Sequence, residues 1–274
     1  MVDWAIGTPS PSLRPLVARY VGYRHQGVTP GLHRGLPSRH LTVVLGLEGD
    51  VGVAAMPDPR QSPGAFGALA AGLHAAPALI ERRPDEAGVH LDVTPEGARA
   101  LFGMPASELA STVVDLDDVL GVRAKELRER VAAGRDWPAR FAVIDDVLSS
   151  VARHGRGLRP EVAWAWQQLT TSDGGVEVGV LAEEIGWSRR HFTEQFRREL
   201  GVTPKVAARV LRFERARRLL EAGASSAEAA AACGFYDQAH LTREWRDLAG
   251  CTPGTWAAEE LPFVQDAGAA AEAS

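Results

Sequence analysis

Two similar stretches of this sequence place arginine, threonine, glutamate and glutamine at helical spacing, and these side chains suit hydrogen bonding to nucleic acid. The stretches cover residues 186–204 and 234–253. With one extra residue in the second turn, their alignment pairs Gly186 with Gly234, Trp187 with Phe235, Phe192 with Leu241, Phe196 with Trp245, Gly201 with Gly250, Thr203 with Thr252 and Pro204 with Pro253. Such a repeat predicts two copies of one unit, and each copy has the pattern of the second half of a helix-turn-helix.

Each copy divides into an apolar side and a polar side when it is drawn as a helix of about 3.6 residues per turn. The apolar sides, which we expect to be buried, carry Phe192, Phe196 and Leu200 in the first copy and Leu241, Trp245 and Leu248 in the second. The polar sides give the predicted DNA-contacting residues: Arg189, Arg190, Thr193, Glu194 and Arg197 in the first copy, and Gln238, Ala239, Thr242, Arg243 and Arg246 in the second. Any one of them could be an ordinary exposed helix residue, and the shared position in two copies is what favours a role in binding.

We expect Arg190, Glu194 and Arg243 to read bases, because arginine makes paired hydrogen bonds to guanine and glutamate accepts from cytosine N4. Arg197 and Arg246 lie further along their helices and are expected to hold phosphates. The polar sides of the two copies differ, which implies a non-palindromic DNA site that a single chain reads.

Three more side chains in the repeats allow more than one interpretation. Gln238 begins the second helix, where it could reach either an adenine edge or a phosphate. His191 and His240 each precede a core position in their helices. Their positions favour packing or a backbone contact over metal binding.

Charge is unevenly distributed along the chain. The formal net charge is −5, which by itself argues against nucleic-acid binding. From residue 188 to residue 218, however, there are ten basic residues and three acidic ones, a local charge of +7. This excess favours contact with phosphates, and a helix surface with internal ion pairs is the alternative interpretation.

Length and cysteine usage limit the class of protein. The chain has 274 residues, enough for two domains, and its only cysteines are Cys233 and Cys251. They provide neither a zinc-ligand cluster nor a disulfide framework, and the histidines of the N-terminal half form no His-x-His pair, so we expect no metal and no cofactor. No leader peptide and no apolar stretch of roughly 18 residues is visible, which predicts a cytoplasmic protein with no membrane contact.

The first part of the chain predicts a mostly β domain over residues 1–115, a small barrel or sandwich that we interpret as an effector-binding domain. Pro15, with apolar residues after it, favours a short helix over residues 15–20. The segment from Thr94 to Gly103 has the signals of a capped helix. The predicted strands cover residues 39–47, 51–55, 66–73, 77–81 and 89–93.

Helical spacing replaces the strand pattern in residues 116–159. The last helix predicted there, over residues 136–152, carries an apolar stripe of Phe141, Ile144, Val147, Leu148 and Val151. Such a stripe packs either within its own chain or on a second copy, and we favour the first while keeping a homodimer through the N-terminal half open. Residues 154–160 are rich in glycine and basic residues and are predicted to form the interdomain linker.

Cap signals predict an all-α domain over residues 160–258, in which one long helix joins two helix-turn-helix motifs. Together with the mostly β domain of residues 1–115, this domain gives a predicted fold class of α+β. The predicted N-caps and the capping box are Ser188, Thr203, Asp237 and the pair Ser225 and Glu228. The last helical turn is expected to end near Trp256. Residues 259–274 are predicted to be disordered.

Residues 162–256, about a third of the chain, resemble the DNA-binding domain of the AraC/XylS transcription regulators. The resemblance is carried by Leu181-Ala182, the run from Gly186 to Phe192, Phe196, the run from Gly201 to Pro204, residues 212–220, the run from Gly234 to Trp245, and the run from Gly250 to Pro253. It implies tandem helix-turn-helix motifs that bind an asymmetric promoter site in double-stranded DNA. The sequence departs from the family pattern at Ala239, where a polar residue is common, at Trp245, where phenylalanine is usual, and at Trp256-Ala257, which replaces a closing Tyr-Arg.

The N-terminal half resembles effector domains of some actinobacterial members of the family at Leu36-Pro-Ser38 and over residues 93–103. Such a domain usually senses a small molecule or mediates dimerisation. The resemblance therefore implies a small-molecule effector, with no ligand-binding residue identified.

An enzyme is the main alternative from another class, in the form of a DNA-repair alkyltransferase fused to such a domain. An alkyltransferase needs an acceptor cysteine outside the DNA-binding motifs, and the first 232 residues contain none. No glycine-rich phosphate loop and no nucleophile elbow is visible, so we expect neither enzymatic activity nor catalytic residues. The other alternative is a ligand-independent regulator that uses its N-terminal domain for contacts with other proteins.

Overall fold

The computed structural model describes residues 2–152 and 157–260, and its N-terminal half is built on two antiparallel β-sheets. The strands are β1 (Val2–Gly7), β2 (Val17–His25), β3 (Gly31–Gly35), β4 (Leu41–Gly46), β5 (Val51–Ala55), β6 (Gly64–Phe66), β7 (Ala68–Ala71), β8 (Ala78–Arg82), β9 (Glu86–Val93) and β10 (Val113–Asp115). One sheet has the strand order β1-β2-β9-β4-β7-β10 and the other the order β3-β8-β5-β6. A sheet-rich half before a helical half confirms the α+β prediction.

The larger sheet is covered on both faces, which explains why its strands are so apolar. Successive side chains of a strand point to opposite faces. In β4, Leu41, Val43 and Leu45 are buried in a core shared with helices. Val44, between them, contacts a smaller core that includes Ile80 of the second sheet.

Residues 17–25 form strand β2, so the short helix predicted over residues 15–20 is wrong. The strand pairs with β9, and the register shifts between Val17 and Arg19. This bulge puts Val17 and Tyr20 in the same core at a spacing of three residues, which imitates the spacing of a helix. Strands β1, β3 and β10 have no counterpart in the sequence prediction.

Short helices follow the sheets and lead to a longer helix that packs on them. They are α1 (Pro95–Gly97), a π-helical turn (Ala98–Phe102), a 3-10 turn (Ala106–Leu109), α2 (Leu116–Leu120), α3 (Val122–Ala132) and α4 (Trp137–Val151). Thr94 accepts a hydrogen bond from the Gly97 amide, and Gly103 ends the turn at a φ of 74°, as the cap signals predict.

Helix α4 lies on the face of the larger sheet that points away from the smaller sheet. Ile144, Val147 and Leu148 are buried in the same core as the strands, so the apolar stripe packs within the chain. The Tyr20 hydroxyl donates to Asp145 Oδ1 at 2.8 Å and ties the helix to β2.

Two aromatic rings of α4 rest directly on glycines of the sheet. The ring of Trp137 lies against Gly22, and the ring of Phe141 lies against Gly7, each so close that a Cβ at the glycine would overlap the ring. The approach of α4 to the sheet therefore depends on these strand positions having no side chain.

The C-terminal half consists of helices. They are α5 (Pro160–Thr171), α6 (Val178–Ile185), α7 (Arg189–Leu200), α8 (Pro204–Glu221), α9 (Ser226–Ala232), α10 (Gln238–Ala249) and α11 (residues 253–260). All four predicted cap sites have the expected hydrogen bonds, including both bonds of the capping box between Ser225 and Glu228. Helix α11 continues to residue 260, beyond the expected end near Trp256.

The two halves of the chain share one hydrophobic core. Trp166 of α5 and Leu211 of α8 belong to the same cluster as Leu73 beside β7, and all three line a small cleft at the junction. A second cluster, around Phe213 and Trp245, holds the second helix-turn-helix together. Residues 154–156 of the predicted linker and residues 261–274 of the predicted tail lie outside the described residues.

Candidate nucleic-acid interface

Helix α7 presents a buried side and an exposed side, as its sequence predicts. Phe192, Phe196 and Leu200 are fully buried. The exposed side carries four of the predicted DNA-contacting residues: Arg189, Arg190, Glu194 and Arg197. The Ser188 hydroxyl accepts from the His191 amide at 3.2 Å and fixes the start of the helix.

Helix α10 repeats this arrangement in the second motif. Leu241, Trp245 and Leu248 are fully buried. The exposed side carries Gln238, Ala239, Arg243 and Arg246. The Asp237 carboxylate accepts from the His240 amide at 2.6 Å, so α10 begins as sharply as α7 does. The structure therefore places the predicted residues on one exposed side in each motif.

The two predicted threonines are half-buried and use their hydroxyls locally. Thr193 donates to the Arg189 carbonyl at 2.8 Å, and Thr242 donates to the Gln238 carbonyl at 2.8 Å. A hydroxyl bonded to the carbonyl four residues earlier is not available as a donor to a base. At both positions the methyl group and the hydroxyl lone pairs are what remain for a contact with DNA.

Three arginines of α8 form ion pairs inside the chain. The pairs are Arg209 with Glu244, Arg217 with Glu221 and Arg218 with Asp173, at 2.6, 3.0 and 2.9 Å. The internal ion-pair interpretation thus holds for part of the basic run. Among the described residues, the arginines on the exposed sides of α7 and α10 have no ion-pair partner within the chain.

Helix α8 connects the two motifs and holds the second one directly. Besides Glu244, Arg209 reaches Asp247 of α10 at 3.3 Å. The ring of Phe213 meets the ring of Trp245 edge-on with centroids 4.7 Å apart. These contacts attach α10 directly to α8. Helix α8 has 18 residues and is therefore roughly 27 Å long, at about 1.5 Å per residue.

The two histidines of the repeat pack against the turns that precede their helices. The ring of His191 meets Trp187 edge-on at 4.8 Å, and the ring of His240 meets Phe235 at 5.4 Å. His240 Nδ1 also accepts from the Tyr236 amide at 3.3 Å. Both contacts agree with the packing role that the sequence favours.

Sequence reasoning missed the side chains through which the N-terminal half contacts the motifs. Arg39, just before β4, donates from its backbone amide and from Nε to Glu214 of α8, at 2.9 and 2.7 Å. Its guanidinium also reaches Asp173 at 3.0 Å. Glu214 is only 5% exposed, and a carboxylate among the apolar positions of α8 was the one available signal for this partner.

Two further contacts reach the far ends of the motifs. Arg99 pairs with Glu199 of α7 at 2.6 Å. Glu260 of α11 accepts from the Arg34 amide at 3.0 Å and pairs with His33 at 2.9 Å. Burial by itself raises the pKa of Glu260, but these bonds and charges outweigh it and leave the pKa below its ordinary value. They also explain why α11 extends to residue 260.

Comparison with known proteins agrees with this geometry. Residues 181–259 match a protein family described as "Helix-turn-helix domain". The uncharacterized HTH-type transcriptional regulator YbfI of Bacillus subtilis (strain 168) is 36% identical over 66 residues, which are 24% of this chain and 24% of that protein. The chain therefore matches about a quarter of the length of this curated relative.

The whole chain is similar in fold to ToxT. The structure of ToxT from Vibrio cholerae O395 aligns over 92% of this chain and 96% of ToxT, with a TM-score of 0.51 and 11% identity. The unsaturated fatty acid bound ToxT from Vibrio cholerae strain SCE256 aligns over 92% and 94%, with a TM-score of 0.51 and 8% identity. At these identities the similarity concerns the fold alone.

Two other findings concern residues 2–152 and 157–260. None of their helices combines the length and the apolar character required to cross a membrane. No three of their histidine, cysteine, aspartate and glutamate side chains are grouped as metal ligands.

The family match covers both motifs from α6 to α11, and the motifs recur around one connecting helix as the sequence resemblance implies. Residues 181–259 thus match a helix-turn-helix domain, which is the kind of domain that the resemblance to the AraC/XylS regulators implies for this part of the chain.

Proposed function

We propose that this protein is a sequence-specific DNA-binding transcription regulator that reads one non-palindromic promoter site with the unequal helices α7 and α10. The observation that carries the proposal is the pair of equivalent exposed sides, each with arginines that have no ion-pair partner among the described residues. An α-helix fits the major groove, and arginine is the commonest side chain to bind guanine there.

Within this proposal, the positions of the side chains assign different tasks to them. Arg190 and Glu194 of α7 and Arg243 of α10 read base edges. Arg197 and Arg246, one turn further along, hold phosphates. Because the roughly 27 Å of α8 is shorter than the roughly 34 Å between adjacent major grooves on one face of the duplex, the DNA bends toward the protein.

The proposal includes control by a small molecule bound between the two sheets of the N-terminal half. His25 is 7% exposed, and neither of its ring nitrogens has a hydrogen-bond partner. The ring of Trp4 lies 5.2 Å from it, and Trp4 Nε1 is also buried without a partner. Buried donors without acceptors are costly, so these groups support binding of a ligand that carries hydrogen-bond acceptors.

The same face of the sheet carries more polar groups. Asp92 is buried, accepts from His90 at 3.0 Å and pairs with Arg19. Burial alone would raise the pKa of Asp92, but the bond from His90 and the nearby positive charges keep it far below its ordinary value. A polar interior of this kind favours a ligand more polar than the fatty acid bound to ToxT.

The proposal leaves two roles open for the N-terminal half besides ligand binding. A homodimer through the N-terminal half is compatible with the helices α3 and α4, although the apolar stripe of α4 is already buried within the chain. Contacts between the N-terminal half and other proteins, without any ligand, are the alternative form of control. We propose that the protein has no catalytic activity, because the exposed side chains of α7 and α10 serve hydrogen bonding to DNA.

The proposal is tested by selecting bound fragments of genomic DNA with the purified full chain, with and without a library of polar metabolites. We expect an enriched site with two unequal parts about one helical turn apart. A metabolite that shifts the enrichment is expected to lose its effect in a His25→Phe variant that still binds DNA. Enrichment of a perfect palindrome, or of no sequence at all, contradicts the proposal.

A further inference from the structure

The two helix-turn-helix motifs differ by one residue in the turn that precedes the recognition helix. In the first motif, Trp187 is followed at once by the N-cap Ser188. In the second, Phe235 is followed by Tyr236 and only then by the N-cap Asp237. The extra residue is therefore a tyrosine that stands directly before α10.

The side chain of Tyr236 has no packing role. It is 93% exposed. An apolar residue in front of an N-cap often packs on the first turn of its helix, as Trp187 does on His191. In the second motif this contact is made by Phe235, which packs on His240 and leaves the phenol of Tyr236 in solvent.

The backbone of Tyr236 is nevertheless held in place. Its amide donates to His240 Nδ1 at 3.3 Å, and the next residue, Asp237, caps α10 at 2.6 Å. A large aromatic side chain on a fixed backbone presents its hydroxyl at low conformational cost. Tyr236 thus has the rigidity of a binding residue without any partner for its side chain in the fold.

We propose that the hydroxyl of Tyr236 donates a hydrogen bond to a phosphate oxygen of the DNA strand beside the groove entered by α10. The inference rests on the proposed DNA-binding function and adds a residue to it. Tyr236 precedes the helix, so it lies at the rim of the groove, where the sugar-phosphate strand runs, while Ala239 and Arg243 point into the groove. Tyrosine is a common donor to phosphate oxygens.

The choice between a phosphate and a base follows from this placement. Base edges are reached from positions within the first turns of a recognition helix. The first motif has no such residue, since its turn is shorter and Trp187 is packed. The proposed contact therefore anchors only the second motif, independently of sequence.

The test compares the full chain with Tyr236→Phe and Tyr236→Ala for binding to the selected site and to random duplex at several salt concentrations. Val122→Ala is the matched control, since Val122 is 86% exposed on α3 in the other half of the chain. We expect Tyr236→Phe to weaken binding about tenfold on both duplexes, as for one hydrogen bond to a charged group. The slope of log K against log salt is expected to stay unchanged, because a neutral phenol releases no counterion.

Other results overturn the inference. If Tyr236→Phe binds DNA as tightly as the wild type, the hydroxyl makes no contact with a phosphate. If its affinity falls only on the selected site, the hydroxyl contacts a base instead. A lower unfolding temperature of Tyr236→Phe indicates a structural role. If the wild type shows no sequence preference, the proposed function is wrong. The phosphate contact is still tested in that case, because the affinity of Tyr236→Phe for random duplex would still fall.

Discussion

The exposed arginines of α7 and α10 differ in what they are positioned to touch, although all have the same charge. Arg243 lies in the second turn of α10, and Arg197 lies in the last turn of α7. Sequence spacing predicts which side of each helix is exposed, because one buried aromatic or leucine recurs every three or four residues. It could not predict the local use of the Thr193 and Thr242 hydroxyls, which depends on side-chain rotation rather than on spacing.

Replacing Arg243 with alanine is expected to weaken binding to the selected site by about 1–3 kcal/mol and to relax the preference at one base pair. Arg197→Ala should weaken all sequences alike and reduce the salt slope by about 1, because it removes one phosphate contact. Fluorescence titrations on selected and random duplexes separate the two effects. An equal loss on both duplexes for Arg243→Ala would falsify its base-reading role.

At the scale of elements, caps were more predictable than strands. A cap depends on a few adjacent residues, such as Ser225 and Glu228, whose hydrogen bonds are local. The strand β2 was missed because its bulge brings Val17 and Tyr20 to the same face, a consequence of pairing with the distant β9. Pairing partners that are far apart in sequence leave no local pattern, and β3, which pairs with the distant β8, was missed for the same reason.

The contact of α4 with the sheet gives a prediction for the element. Gly22→Ala is expected to lower the free energy of unfolding by about 1–3 kcal/mol, because the new methyl overlaps the ring of Trp137 and forces α4 outward. Urea denaturation followed by tryptophan fluorescence measures the change. Gly157→Ala is the control, since no atom lies within 4 Å of a Cβ built there. Equal stability of the two variants contradicts this account of the packing.

At the scale of the molecule, the two halves are more closely joined than the sequence indicates. The glycine-rich region near residue 157 marks a boundary, and this predicts separable domains. The structure adds a core shared by Trp166 and Leu211 with the N-terminal half, and the buried bonds from Arg39 to Glu214. Such contacts between distant residues are not visible as periodicity.

A fragment of residues 159–260 is still expected to fold and to bind DNA. The cores around Phe196 and Trp245 lie inside it, and Glu214 becomes hydrated once Arg39 is removed. We expect a lower unfolding temperature than that of the full chain, because Trp166 and Leu211 lose apolar cover. Circular dichroism and DNA titration of the fragment test both points. An unfolded fragment means that the proposed boundary near Pro160 is wrong.

The bonds from Arg39 to Glu214 also limit how this protein can be recombined with its relatives. A chimera that joins this C-terminal half to a foreign N-terminal half without an arginine at position 39 would bury Glu214 with no guanidinium to pair with it. A buried carboxylate without its partner is strongly destabilising, by about 3–5 kcal/mol. Exchange of N-terminal halves therefore requires that residues 39 and 214 be inherited or changed together.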